Sequence, residues 1–184
     1  LAMYIKHAIR PKRTFKGGYE LYPPSKVLGH LNDVLASHGL SDSQFITGWY
    51  GVINIKTLVL NYAVAGHPPA LHISPEGHIR ELHGDGCLLG LTSGMAFSDE
   101  SVTLGPDHRI LVYSDGLEPT LISQRPPLPQ MPIFEEGIPK LLQQPASDFV
   151  IRLRERLDTT PGSLAQEDDV SLLMMDVDGG ALAS

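Results

Sequence analysis

The sequence predicts an α+β domain of mainly antiparallel sheet, and three observations lead there. Apolar segments rich in β-branched residues recur from Phe45 to Leu104, separated only by short turns. Strands joined so directly pair antiparallel rather than as βαβ units. Two helical stripes, Leu31/Leu35 and Phe149/Leu153, lie far apart in the chain and need separate sheet faces to bury them. The length of 184 residues, 42% apolar and 19% charged, suits one globular domain with a real core.

Taken in order, Leu1, Ile5, Ala8 and Ile9 share a helical face that Pro11 ends. A helix beginning uncapped at Leu1 leads us to expect a fragment of a longer chain. Lys12 to Tyr22 is basic, contains glycine and lacks a pattern, which reads as a loop. Pro23-Pro24-Ser25 opens a second helix with Ser25 as N-cap, Val27, Leu28, Leu31, Val34 and Leu35 as its stripe, and Gly39 at its end. Phe45 to Ile53 and Leu58 to Ala65 flank Asn54-Ile55-Lys56-Thr57 as a hairpin. Ala70 to Ile73 and His78 to Leu82 flank Ser74-Pro75-Glu76-Gly77 as another. Ser101 to Leu104 is a short strand, turned by Gly105-Pro106-Asp107 into a buried central strand from Ile110.

Beyond Glu118 the prolines of residues 119 to 132 mark a surface excursion. Phe134 to Leu142 reads as a short helix, and Asp148 to Leu157 as a clearer one. Val170 to Val177 is the last strand. The domain is therefore set at residues 1–178, with 179–184 a disordered tail.

A formal net charge of −7 argues against a nucleic-acid surface, and Arg10, Lys12, Arg13 and Lys16 form only one short basic run. Cys87 is the single cysteine, so no internal disulfide and no cysteine zinc motif exist. A reducing cytoplasm is the expected compartment. No apolar run approaches the ~20 residues of a membrane span.

Chemistry concentrates at two acidic strand borders. Ile110-Leu111-Val112-Tyr113-Ser114-Asp115-Gly116-Leu117-Glu118 sets a carboxylate on a sharp turn after a buried strand. Asp-Gly is also among the commonest turn dipeptides, so a plain turn is the competing reading. Glu167-Asp168-Asp169 places further carboxylates just before Val170-Ser171-Leu172-Leu173-Met174-Met175. Two such ends would converge on one hard cation.

Ala65-Gly66-His67-Pro68-Pro69-Ala70 is either an ordinary turn or a mouth where His67 donates a proton or meets phosphate. Gly84-Asp85-Gly86-Cys87-Leu88-Leu89-Gly90 fits no phosphate-binding loop and reads as a sheet-edge turn. His72, His78 and His83 share a predicted hairpin, a distant zinc candidate against which scattered surface histidines are the safer reading. No Gly-x-Ser-x-Gly elbow is present.

In order, these blocks resemble the metal-dependent PPM-type (protein phosphatase 2C-like) serine/threonine phosphatases, in the SpoIIE-like bacterial branch. The blocks are Leu31, Asn32 and Leu35 of a Leu-Asn-x-x-Leu helix, Phe45-Ile46-Thr47, Ala65-Gly66-His67-Pro68-Pro69, Ile110 to Glu118, and Asp168-Asp169-Val170-Ser171-Leu172. The resemblance implies an α-β-β-α sandwich with a binuclear Mn²⁺ or Mg²⁺ site. It carries Asp115 and Asp168 over as metal ligands, with Asp169, Gly116, His67 and Glu118 supporting. Such ions favour carboxylate and water oxygens, and a metal-activated water would attack phosphoserine or phosphothreonine without a protein nucleophile. The implied partner is a phosphorylated regulatory protein of the anti-sigma-factor antagonist type.

The family's bridging Asp, in an Asp-Val-x-Gly-His-Gly-like segment, has no match between Leu1 and Tyr22, where Glu20 is the sole acidic residue. The expectation is thus an N-terminally truncated domain with an incomplete site, weak or inactive alone. Its open sheet edges would favour a dimer. Two function classes follow: a signalling phosphatase, or a catalytically silent phosphatase-like module that binds a regulator. An Asp upstream of Leu1 discriminates them.

Overall fold

The computed structural model describes residues 11–38, 45–125, 132–159 and 169–178. The expected first helix, the expected tail and Asp168 lie outside the described residues. In chain order the elements are β1 (Lys12–Phe15), β2 (Gly18–Leu21), α1 (Pro24–Ser37), β3 (Gly48–Asn54), β4 (Val59–Ala65), β5 (Ala70–Ile73), β6 (Ile79–Leu82), β7 (Glu100–Thr103) and β8 (Arg109–Tyr113). A 3₁₀ turn (Asp115–Leu117) follows, then α2 (Glu118–Leu121), β9 (Ile122–Gln124), β10 (Ile133–Phe134), α3 (Ile138–Leu141), α4 (Ala146–Thr159) and β11 (Leu172–Asp176). Every strand pair among the described residues is antiparallel, the arrangement that lets the β1–β2, β3–β4 and β5–β6 hairpins close over short turns. The chain divides into two compact units, Leu1–His67 with His83–Leu104, and Pro68–Leu82 with Gly105–Ser184.

In the first unit, β3, β4 and β7 form a three-stranded sheet with β4 central. Asn54 turns the β3–β4 hairpin: its Oδ1 accepts the Lys56 and Thr57 N–H groups at 2.9 and 3.2 Å. Helix α1 buries Leu28, Leu31 and Leu35 against Ala63 and Ala65 of β4 and against Leu89. The two alanines are small enough to let the helix approach the sheet. Each buried leucine contributes about 1.5–3 kcal/mol by leaving water.

Two expectations are corrected here. Lys12 to Tyr22 is not a loop but carries the β1–β2 hairpin, turned at Gly17 with φ 101°. Its strands bury nothing, so neither face imposed a hydrophobic period. Ser25 does not cap α1; Pro23 holds the N-cap position without a side-chain bond. Instead the Asp99 carboxylate accepts both the Ser25 N–H (2.8 Å) and the Ser25 hydroxyl (2.5 Å). A carboxylate at a helix start satisfies an orphan donor and suits the helix dipole.

The second unit holds a four-stranded sheet in the order β11-β8-β5-β6. Strand β8 is internal, paired on one side with β11 and on the other with β5, as its apolar run predicts. Leu71, Ile73, Leu111 and Tyr113 pack with Leu117, Leu121, Ile138, Leu142, Phe149 and Leu153 in one core. The Phe149/Leu153 stripe of α4 is thus buried as expected, on a different sheet from α1. The excursion after Glu118 begins later than the prolines suggest, because Leu121 and Ile122 are buried core residues. Phe134 to Leu142 is not one helix: Gly137 sits at φ 81° and only Ile138–Leu141 is helical.

Candidate metal centre

The end of β8 is built by register and by one serine. Tyr113 pairs with Leu172 in the ladder. One step on, the Ser114 N–H donates to the Ser171 carbonyl at 2.9 Å. The Ser171 N–H donates to Ser114 Oγ at 2.9 Å, and that hydroxyl donates to the Asp169 carbonyl at 3.1 Å. The side chain of Ser114 therefore substitutes for a main-chain partner just where the ladder ends. It fastens the segment entering β11 to the strand that leads into Asp115.

Asp115 then starts the 3₁₀ turn, closed by the Leu117 N–H donating to the Ser114 carbonyl at 3.0 Å. Leu117 is fully buried and anchors the turn in the core. Asp115 itself is exposed. Its Oδ1 accepts the Gly116 N–H at 3.0 Å, and Oδ2 has no hydrogen bond among the described residues. An exposed carboxylate with one oxygen uncommitted suits a hard divalent cation. Asp169 is exposed as well. Among the described residues no group of three or more His, Cys, Asp or Glu is arranged to hold a metal ion, so what is present fits such an ion in part, as individual oxygen donors.

Glu118, the last residue of the same block, does not stand open beside Asp115. Its carboxylate accepts from Arg125 Nε at 2.9 Å, while Arg125 Nη1 donates to Glu81 at 2.7 Å. The Glu81 side chain is only 4% exposed. Burial disfavours the Arg125 charge, but the hydrogen bonds it donates to Glu81 and Glu118 outweigh it and hold the guanidinium ionised. Tyr113 is buried beside this group, its hydroxyl without a geometric hydrogen-bond partner among the described residues. Burial first, then the Glu118 and Glu81 charges, push the phenol above its ordinary pKa, with Arg125 opposing.

His67 is half-buried in the other unit. It follows Gly66, whose φ of 60° and N–H bond to the Gly86 carbonyl (3.0 Å) fix the turn. The histidine zinc candidate finds no support. His72 bonds instead to His108, Nε2 to Nδ1 at 2.8 Å, and His83 is exposed. Sequence reasoning missed the Ser114 bonds and Arg125. The first had a signal in the serine ending an apolar run; the second had none.

Residues 10–178 match the family model described as Stage II sporulation protein E (SpoIIE). Phosphoserine phosphatase RsbP of Bacillus subtilis is 33% identical over 101 residues, covering 53% of this chain and 25% of that protein. The chain thus spans about a quarter of that relative's length. Among solved structures, the SiaA-PP2C domain of Pseudomonas aeruginosa aligns with a TM-score of 0.63 at 20% identity, over 96% of this chain and 67% of that one. RsbX, solved in complex with magnesium, aligns with a TM-score of 0.56 at 14% identity, over 83% and 64%. These structural likenesses establish the α+β, antiparallel-sheet fold. No helix among the described residues is long and apolar enough to cross a membrane.

Proposed function

Because this chain belongs to the SpoIIE family, which matches it from residue 10 to residue 178, we propose that it is the phosphatase domain of a bacterial signalling regulator. It hydrolyses phosphoserine or phosphothreonine on a protein. The observation that carries this reading is the set of Ser114 hydrogen bonds to Asp169 and Ser171. They join the two acidic strand borders, one leading into Asp115 and the other leaving Asp168-Asp169.

On this reading Asp115 and Asp168 ligate the metal, and Asp169 and Gly116 support them. Oδ2 of Asp115 is the oxygen offered, since Oδ1 is held by the Gly116 N–H. Bound Mn²⁺ or Mg²⁺ would supply a water acidic enough to attack phosphorus near neutral pH. Ser114 and buried Leu117 hold the Asp115 carboxylate at the strand end, so the ligand is presented without reorganisation. His67 contacts phosphate or donates a proton. The partner is a phosphorylated regulatory protein of the anti-sigma-factor antagonist type; the name of RsbP, a phosphoserine phosphatase, supports the serine ester.

The test uses the full-length protein, a phosphoserine peptide and Mn²⁺. Chelation is expected to stop hydrolysis and added Mn²⁺ to restore it. Asp115→Asn is expected to lower kcat by about 100-fold or more, as removal of a metal-ligating charge should. Full activity in Asp115→Asn would remove that residue from the site. An inert wild-type protein that still binds its regulator would favour the catalytically silent module.

A further inference from the structure

Arg125 sits just beyond β9, yet its guanidinium is spent on two carboxylates from distant parts of the second unit. Glu81 comes from β6, at one edge of the four-stranded sheet, and Glu118 is the first residue of α2. The distances, 2.7 and 2.9 Å, are those of charge-assisted hydrogen bonds. The Glu81 side chain is almost wholly buried, where an opposing charge offsets its desolvation.

The position of Glu118 gives this bridge its consequence. Glu118 is the C-cap of the 3₁₀ turn that Asp115 begins, and its own N–H donates to the Asp115 carbonyl. The turn is therefore held at three points. Ser114 ties its start to the segment entering β11, Leu117 pins its inner side in the core, and Arg125 fastens Glu118 at its far end to β6. Of the three, only the Arg125 contact acts through paired charges. It also removes Glu118 from the pool of free carboxylates next to Asp115.

We propose that Arg125 is a positioning residue for the metal-binding turn, clamping Glu118 to Glu81 so that the Asp115 carboxylate is presented in one orientation. This rests on the reading of Asp115 as a metal ligand. Without the clamp the turn gains freedom, and Glu118 becomes a competing, misplaced carboxylate. The cost falls on metal affinity rather than on binding of the phosphorylated peptide.

The experiment measures Mn²⁺ affinity of the full-length protein by calorimetry, alongside turnover at varied Mn²⁺ and the thermal midpoint. Arg125→Ala is expected to weaken Mn²⁺ binding about tenfold and shift the Mn²⁺ dependence of turnover equally, with peptide KM unchanged. Arg125→Lys is expected to restore part of the affinity. Glu118→Gln, a gentler change, is expected to act in the same direction, and the double variant to be no worse than Arg125→Ala. Unchanged Mn²⁺ affinity in Glu118→Gln, or in a folded Arg125→Ala, overturns the proposal even if the thermal midpoint falls. If Arg125→Ala does not fold, Glu118→Gln alone decides. Asp115→Asn separates the two levels. Lost affinity there with unaltered Arg125 and Glu118 variants sinks only the clamp, whereas wild-type affinity in Asp115→Asn sinks the metal reading itself.

Discussion

Ser114 and Asp169 are joined by a hydrogen bond of 3.1 Å from the serine hydroxyl to the aspartate main-chain carbonyl. The same oxygen accepts the Ser171 N–H at 2.9 Å. One side chain thus closes the ladder between β8 and β11 at the end where the acidic residues lie.

Ser114→Ala removes one donor and one acceptor together and leaves the Ser171 N–H and the Asp169 carbonyl to water. Because this end of the sheet is partly exposed, water compensates in part. The expected loss is about 1–2 kcal/mol in urea unfolding, near the value of two net hydrogen bonds. Mn²⁺ affinity should fall as well. A variant as stable as the wild type would mean that the bonds contribute nothing beyond the ladder itself.

Asn32 is a fully buried polar residue on α1. Its Nδ2 donates to the Thr92 carbonyl at 2.8 Å and its Oδ1 accepts the Gly90 N–H at 3.0 Å. Asn32→Ala leaves both loop groups without their partner, and because Gly90 is only partly buried and Thr92 is exposed the expected loss is roughly 1–3 kcal/mol, the net value of two hydrogen bonds. Hydrogen exchange at the Gly90 amide is the direct check, and it should accelerate far more than exchange within β4.

Tyr113 presents the opposite case. Its hydroxyl is buried without a partner among the described residues, so Tyr113→Phe removes a desolvated polar atom and little else. Stability should hold or rise by about 1 kcal/mol. A loss above that size would show that the hydroxyl is satisfied by bound water or by the Arg125 cluster in solution.

The elements that were legible in the sequence are those whose burial imposes a period. Strands β4, β5 and β8 carry runs such as Ala70 to Ile73 and Ile110 to Tyr113, and α1 and α4 carry leucine and phenylalanine stripes. The β1–β2 hairpin was not legible, because its residues are all exposed and alternation has no face to serve. The α1 cap was misread because Asp99, remote in sequence, does what Ser25 was expected to do. Asp115 was picked out as a candidate because an acidic turn after a buried strand is a local signal, and its role as a metal ligand is the one we propose. Arg125 was not, because its meaning depends on Glu81, which only the folded sheet brings near. Asp168 was singled out with it, and lies outside the described residues.

The last expectation concerns pH. His72 on β5 bonds to His108, which precedes β8, at 2.8 Å, with the rings tilted 4.9 Å apart. One ring must be neutral to accept, so the bond fails when both are protonated. Burial chiefly, then His108 and then Arg80, pull the His72 pKa below its ordinary value. Arg80 stands directly opposite His72 on β6, and no carboxylate is among the causes of the shift. The folded protein therefore binds fewer protons here than the unfolded chain in the interval below ~6.5, the usual histidine value. Stability depends on the difference in protons bound, so it rises with pH across that interval. The contribution is complete above about pH 6.5 and is lost as pH falls through the lowered folded pKa. Urea midpoints measured between pH 7.5 and pH 5.5 should decline, with part of the slope due to this pair. His72→Gln should flatten that part while leaving the midpoint at pH 7.5 little changed. An identical slope in the variant would assign the pH dependence to other groups.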